Sequence, residues 1–211
     1  MGIASGVIRV MIVDDHPVIR VGLSLMLNNE ADIEVVTQAM CASEAVEYYR
    51  TYEPDVTLMD IRLSEGNGVD AVSRIRAEYP NARIVLFTTY DGDEDIYRGL
   101  QAGAAAYLLK DSPPEEILDA IRKVYAGQKY ITQNVGEKLA ERIKYQELTE
   151  RELEVLREMA KGKTNAEIGD TLCVTEGTVK FHINHILTKL DVSDRTQAVL
   201  LAIRRGIVEL N

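Results

Sequence analysis

Asp14, Asp15, Asp60, Thr88 and Lys110 are the residues of this chain whose types and placement could do chemistry. Each follows a short apolar run: Ile8 to Val13, Val56 to Met59, Ile84 to Phe87 and Ala104 to Leu109. Three carboxylates in one dry crevice repel each other, and a hard divalent cation with oxygen ligands relieves that repulsion. Such a cation also neutralises a phosphoryl group, which points to phosphoryl transfer. Asp60 is then a plausible nucleophile, because a carboxylate can form an aspartyl phosphate. Lys110 could meet the charge of the transferred group as a compact ammonium, and Thr88 could hydrogen-bond one of its oxygens. Taken singly, the acids would read as helix caps and Lys110 as a surface lysine. Five such residues at the ends of four runs favour a site.

Positioning them requires a particular fold. The runs are short, rich in branched residues and almost without alternation, as in parallel strands buried on both faces. Helical-period segments separate them, and a further strand is expected at Ile33 to Thr37. The pattern is βαβα, a five-stranded doubly wound parallel sheet with five helices, whose strand carboxyl ends meet in one crevice. The first helix opens at His16-Pro17 and runs to about Leu27; Ser43 caps the second, which Glu53-Pro54 ends near Tyr52. Others are expected at Val69 to Glu78, at Asp93 to Gln101, and from Pro113 with Ile117, Ile121 and Val124 at helical spacing. Ser64-Glu65-Gly66-Asn67-Gly68 reads as a loop.

Residues 1–126 form this first domain and 127–147 a linker, partly helical because Val135, Leu139 and Ile143 recur every four residues. Residues 148–211 form a second domain without strand signals. Thr149 with Glu152 makes a capping box, and helices follow at about Glu150–Ala160, Asn165–Leu172, Thr175–Leu190 and Arg195–Arg204. The middle pair has helix-turn-helix proportions. Along Thr175–Leu190, Val179, Ile183, Ile186, Leu187 and Leu190 share one buried stripe. Gly177, Phe181, Asn184 and Thr188 lie opposite, flanked by Lys180 and His185. Phe181 suits a thymine methyl, Asn184 an adenine edge, and Lys180 guanine or phosphate. A helical protein-binding bundle with a solvated polar face fits the same periodicity. His182 and His185 lack a third ligand nearby, which argues against zinc.

Composition narrows the classes. The 211 residues are 46% hydrophobic and 27% charged, ordinary for a globular protein. No stretch nears the roughly 18 apolar residues of a membrane span, and the start lacks signal-peptide character. A cytoplasmic protein with no membrane partner is expected. Cys41 and Cys173 suggest no disulfide framework or metal cluster. The net charge of −10 resides in residues 1–126, with 11 Lys/Arg against 21 Asp/Glu; residues 149–211 carry 9 against 10. An acidic protein is normally a poor nucleic-acid binder, so the near-neutral second half has to be judged on local pattern.

The segments beginning Val10-Met-Ile-Val-Asp-Asp-His, Leu58-Met-Asp-Ile-Arg-Leu, Leu86-Phe-Thr-Thr-Tyr and Tyr107-Leu-Leu-Lys-Asp resemble the receiver domain of bacterial two-component response regulators. Leu148-Thr-Glu-Arg-Glu-Leu-Glu-Val-Leu and Glu176-Gly-Thr-Val-Lys-Phe-His-Ile-Asn-His-Ile resemble the LuxR-type DNA-binding domain, so nearly the whole chain is similar to the NarL/FixJ branch. The resemblance implies a flavodoxin-like receiver followed by a four-helix helix-turn-helix domain. It implies that Asp60 takes a phosphoryl group from a sensor histidine kinase. Asp14, Asp15, Asp60 and the Arg62 backbone carbonyl would hold Mg²⁺ (or Mn²⁺), Lys110 would contact the phosphoryl oxygens, and Thr88 with Tyr107 would form the switch pair. The chain would not be an enzyme: it would undergo magnesium-dependent self-phosphorylation and slow autodephosphorylation only. It would bind promoter DNA as a homodimer on activation, through Thr175, Thr178, Lys180, Phe181, Asn184, His185, Thr188 and Lys189, with RNA polymerase a further candidate partner. The helix near Arg195–Arg204 would be the dimer surface of the DNA-binding domain.

Three positions and the charge balance of residues 149–211 depart from the family pattern; that balance, low for a DNA binder, predicts moderate affinity dependent on dimerisation and salt. Ser64 replaces a usual Pro, which predicts a less rigid loop, and Gly169 replaces a usual Ala, which predicts a loss of roughly 1 kcal/mol of helix stability. Asn184 stands where some relatives carry Lys, so base preference does not transfer. Arg62 stands where a haloacid-dehalogenase-type phosphohydrolase, the enzyme alternative, needs its second Asp.

Overall fold

In the computed structural model, residues 6–89, 92–142 and 146–208 are described. The chain divides into two compact units, Met1–Tyr90 with Ile96–Gly136, and Asp91–Asp95 with Glu137–Asn211.

Along the first, β1 (Ile8–Val13), α1 (Pro17–Asn28), β2 (Ile33–Ala39), α2 (Ala42–Tyr52), β3 (Val56–Met59) and α3 (Gly68–Glu78) follow one another. Next come β4 (Ile84–Thr88), α4 (Asp93–Gln101), β5 (Ala106–Leu109), α5 (Pro114–Tyr125) and β6 (Tyr130–Ile131), and α6 (Gln133–Arg142) crosses into the second unit's residues. All pairings are parallel, in the order β2-β1-β3-β4-β5-β6. Every residue of β3 and β4 is buried, which explains why those runs lack alternation. Val10, Ile12, Leu58, Val85 and Phe87 pack in one core cluster with Leu23 and Leu27 of α1 and Ile117, Ile121 and Val124 of α5. The strand order reverses between β1 and β3, and the crevice outside their carboxyl ends is where such sheets bind ligands.

Two local expectations need correction. The sheet has six strands rather than five, because Tyr130–Ile131, within the stretch read as linker, pairs with Ala106 and Tyr107 of β5. The cap of α2 is Cys41, extended at φ −145°, and not Ser43. Ser43 lies inside the first turn, its hydroxyl 3.1 Å from the Cys41 sulfur.

The second unit is built by α7 (Glu150–Ala160), α8 (Asn165–Leu172), α9 (Glu176–Leu190) and α10 (Arg195–Arg205). Thr149 and Thr164 each form a capping box, with Glu152 and Glu167 respectively. Its core joins Val155, Leu156 and Met159 to Ile168, Val179, Ile183, Ile186, Leu190, Ala198 and Ala202. Of the stripe expected on α9, Leu187 is only half-buried while the other four are buried. Ile143 lies outside the described residues.

Candidate functional site

The strand endings converge. Asp14 follows β1 and is 1% exposed; Asp60 follows β3 and is 3% exposed. The Asp60 N–H donates to the Val13 carbonyl at 2.8 Å, which fixes one strand end against the other. Lys110 follows β5, its N–H donating to the Thr88 carbonyl at 2.8 Å. Its ammonium lies 2.5 Å from Asp60 Oδ2 and 2.6 Å from Asp14 Oδ2. Thr88 and Tyr107 are completely buried on β4 and β5.

The electrostatics follow from burial. Withdrawal from water pushes the Asp60 carboxyl up from its ordinary value, only partly offset by Lys110, and the Asp14 charge adds to the rise. For Lys110 burial works against the charged form, but the hydrogen bonds to Asp14 and Asp60 outweigh it and raise its pKa. Asp14, Asp15, His16 and Asp60 each bring a ligand-type atom within 4.8 Å of one another. Three carboxylates there suit a hard divalent cation. His16 was not singled out by sequence, although it follows Asp15 directly. Its ring nitrogen Nδ1 lies 2.8 Å from Asp15 Oδ1 and 3.2 Å from Asp14 Oδ1. Arg62 adjoins the cluster, its N–H donating to Asp60 Oδ1 at 3.3 Å.

The loop after Asp60 is more constrained than Ser64 suggested. The Ser64 N–H donates to Asp15 Oδ2 at 3.0 Å, a bond that proline cannot make. Arg62 and Asn67 form an antiparallel bridge, and Asn67 caps α3 by accepting from the Val69 N–H. Gly68 closes the loop with its N–H on the Ile61 carbonyl at 2.8 Å. A Cβ at Gly68 would collide with the Asp60 carbonyl oxygen, so only glycine allows this approach.

In the second unit α8 and α9 meet at a tight turn. Cys173 adopts the left-handed conformation at φ 55°, and the Val174 N–H donates to the Gly169 carbonyl at 2.9 Å. A Cβ on Gly169 would lie 2.8 Å from the Val174 carbonyl oxygen. Gly169 therefore permits the turn's close approach, which corrects its reading as a simple loss of helix propensity. Thr175 is the cap of α9 rather than its first residue: its hydroxyl accepts from the Thr178 N–H at 3.2 Å.

On the outer face of α9, Phe181 is 55% exposed and its ring centroid lies 4.2 Å from that of His185. Asn184 and Thr188 are exposed, the Thr188 hydroxyl donating to the Asn184 carbonyl. Lys180 pairs with Glu176 at 2.9 Å across one helical turn. Lys189 differs. Its ammonium donates to the buried Glu152 Oε2 at 2.7 Å and to the Glu147 carbonyl at 3.0 Å. Glu152 also accepts from the Thr149 N–H at 2.7 Å and lies 3.7 Å from His185 Nδ1. Sequence reasoning saw Glu152 only as a cap; it also ties α7 to the recognition-type helix α9.

Comparison with known proteins agrees with this architecture. Residues 10–122 match the response regulator receiver domain, and residues 146–202 match the bacterial regulatory proteins of the luxR family. The chain is 38% identical over 207 residues to the response regulator protein VraR of Staphylococcus saprophyticus, covering 96% of this chain and 99% of that one. VraR of Staphylococcus aureus gives the same identity and coverage. Among solved structures, the response regulator ChrA of a heme-sensing two-component system is 35% identical with a TM-score of 0.58, covering 96% and 99% of the two chains. RcsB, solved as two dimers on parallel DNAs, is 21% identical with a TM-score of 0.69 over 94% of this chain and 99% of its own, a likeness of fold. Among the described residues no helix is long and apolar enough to cross a membrane. The chain belongs to the two-component response regulators that carry a receiver domain followed by a LuxR-type DNA-binding domain.

Proposed function

We propose that this chain is a phosphorylation-switched transcriptional regulator working in the cytoplasm. Asp60 takes a phosphoryl group from a sensor histidine kinase, and the helical unit then binds promoter DNA as a dimer. The observation that carries this reading is the Lys110 ammonium, 2.5 Å from Asp60 and 2.6 Å from Asp14 in a buried crevice. It neutralises the carboxylates that would otherwise repel an incoming anion, and it stands where phosphoryl charge would arrive. An Asp60 oxygen attacks phosphorus of a phosphohistidine; the P–O bond forms as the P–N bond breaks, and the imidazole leaves with the electron pair and takes up a proton. Asp14, Asp15, Asp60 and the Arg62 carbonyl would hold Mg²⁺ or Mn²⁺, which when bound supplies charge neutralisation. Lys110 then follows the phosphoryl oxygens, and Thr88 and Tyr107 adjust as the switch pair. The chain is a phosphoacceptor and not a turnover enzyme, with Arg62 standing where a hydrolase would keep a second acid. That ChrA belongs to a two-component system supports a kinase partner. The exposed Phe181, Asn184 and His185 support a base-reading face on α9, and RNA polymerase is the partner that a promoter-bound regulator would address.

Acetyl phosphate with Mg²⁺ should add one phosphoryl group to the wild type by intact mass and none to Asp60→Ala. Equal labelling of the two removes Asp60 as acceptor. Combined replacement of Lys180, Phe181 and Asn184 by Ala should abolish promoter binding while leaving the helical circular dichroism unchanged; persistence of binding removes α9 as the reading helix.

A further inference from the structure

We infer that His16 is a further ligand of the divalent cation held by the aspartates after β1 and β3, and that its imidazole tilts the site from Mg²⁺ towards a first-row transition-metal dication such as Mn²⁺. The inference deepens the cation site of the proposed function and rests on that reading.

The residues fit a cation. Asp14 Oδ2 and Asp15 Oδ1 are cut off from water and accept no hydrogen bond among the described residues, and buried carboxylate oxygens of that kind call for a positive partner. Lys110 Nζ stands 2.6 Å from the first. His16 Nδ1 stands 2.8 Å from the second without the alignment of a hydrogen bond, and 3.2 Å from Asp14 Oδ1. Donor atoms side by side on an octahedral cation with bonds of about 2.0–2.1 Å are roughly 3 Å apart. Both separations therefore suit three ligands on one face of one ion. Asp14, Asp15, His16 and Asp60 all bring ligand-type atoms within 4.8 Å of one another.

Local structure holds the ring in place. The His16 N–H donates to Asp14 Oδ1 at 2.9 Å, and Arg20 Nη1, one turn along α1, donates to the Asp14 carbonyl at 2.6 Å. His16 occupies the cap position of α1, where Ser, Thr, Asp and Asn are the usual choices, yet its side chain makes no capping bond. The ring is 65% exposed, while its Nδ1 faces the carboxylates. The helix therefore has no need of this side chain.

The nitrogen bears on the choice of ion. Mg²⁺ takes oxygen donors and keeps several waters, so an imidazole adds little to its binding. First-row transition dications accept nitrogen, with an affinity that rises from Mn²⁺ to Co²⁺. Three carboxylates alone make a hard-ion site; His16 makes it a mixed oxygen and nitrogen site.

The test loads the full chain with Mn²⁺ and applies pulsed electron paramagnetic resonance, which detects nitrogen nuclei bonded to the ion. The chain has three histidines, so His16→Ala leaves only His182 and His185, both on α9. Wild type should show a directly bound imidazole nitrogen and His16→Ala none. In titrations, His16→Ala should weaken Mn²⁺ binding about tenfold, Co²⁺ binding by more and Mg²⁺ binding by less than about twofold. Its unfolding temperature without added metal should be that of wild type. Mn²⁺ bound without nitrogen, nitrogen retained in the variant, or equal losses for Mg²⁺ and Mn²⁺ overturn the inference and leave the oxygen site standing. Failure of the wild type to bind any of the three ions overturns the cation site and the inference together.

Discussion

Replacing Gly68 by alanine tests the packing that places Asp60. An alanine Cβ there would meet the Asp60 carbonyl oxygen and lie 2.9 Å from the Asp60 carbonyl carbon and 3.0 Å from Ile61 Cα. All three are backbone atoms, so no rotamer change relieves the clash; either α3 or the Asp60–Ile61 segment must shift. The backbone at Gly68 is not left-handed, so the cost is steric and not conformational. Overpacking of this sort costs typically about 1–3 kcal/mol, and the rigidity of the neighbours places this case at about 3 kcal/mol. Gly22 is the control. It lies inside α1 with no atom within 4 Å of a Cβ, so Gly22→Ala should stabilise by roughly 0.5–1 kcal/mol. Tyrosine fluorescence in urea reports mainly on the first unit, because nine of the ten tyrosines belong to it, Tyr145 being the exception, and the chain has no tryptophan. With a slope of about 1–3 kcal/mol/M, Gly68→Ala should lower the midpoint by at least about 1 M, while Gly22→Ala should raise it. Acetyl phosphate labelling should slow in Gly68→Ala only. If the two variants share the wild-type midpoint, the steric account of the loop is wrong.

Two other outcomes are expected. Ser64→Pro, which restores the residue usual in the family, should slow labelling, because it deletes the N–H that holds Asp15 Oδ2 at 3.0 Å; labelling at the wild-type rate would make that bond irrelevant. Glu152 has its pKa lowered in the fold, since the hydrogen bonds from Lys189 and Thr149 outweigh the upward push of burial. Its stabilisation is therefore complete above the usual glutamate value near 4.5 and is lost as pH falls through the lower folded value. Glu152→Gln should lower the helical melting temperature by about 4–8 °C at pH 7, for a loss of about 1 kcal/mol, and the gap to wild type should close towards pH 3. A gap unchanged with pH would remove the ionic role of Glu152.

The strand endings were legible because burial on both faces leaves few polar residues within those strands, Thr57 inside β3 and Arg9 inside β1 among them, and gathers the reactive ones at the carboxyl ends. The first helix of the second unit was legible from its cap, Thr149; Thr164 and Thr175 also accept from an N–H of the first turn but were not read as caps. What escaped was set by tertiary contact. Two residues cannot show a period of two, and Tyr130–Ile131 becomes a strand only because the β5 edge offers it partners. The fitness of Ser64 rests on an N–H, which side-chain patterns do not encode. Gly169 carries no sign in its neighbours that a carbonyl oxygen would sit 2.8 Å from its missing Cβ. The hold that Glu152 has on Lys189 was not legible, because the two residues lie 37 positions apart in the chain.

That last pairing bears on how α9 would trade with the ion atmosphere of a duplex. Binding strength at phosphates comes largely from cations that release condensed counterions, roughly one per contact. The helix owns two lysines, and one of them is already neutralised from beneath by Glu152. The other, Lys180, shares its charge with Glu176. Such a helix gains little from the polyelectrolyte term, so discrimination by Phe181, Asn184 and His185 would be diluted less by indiscriminate attraction to any DNA.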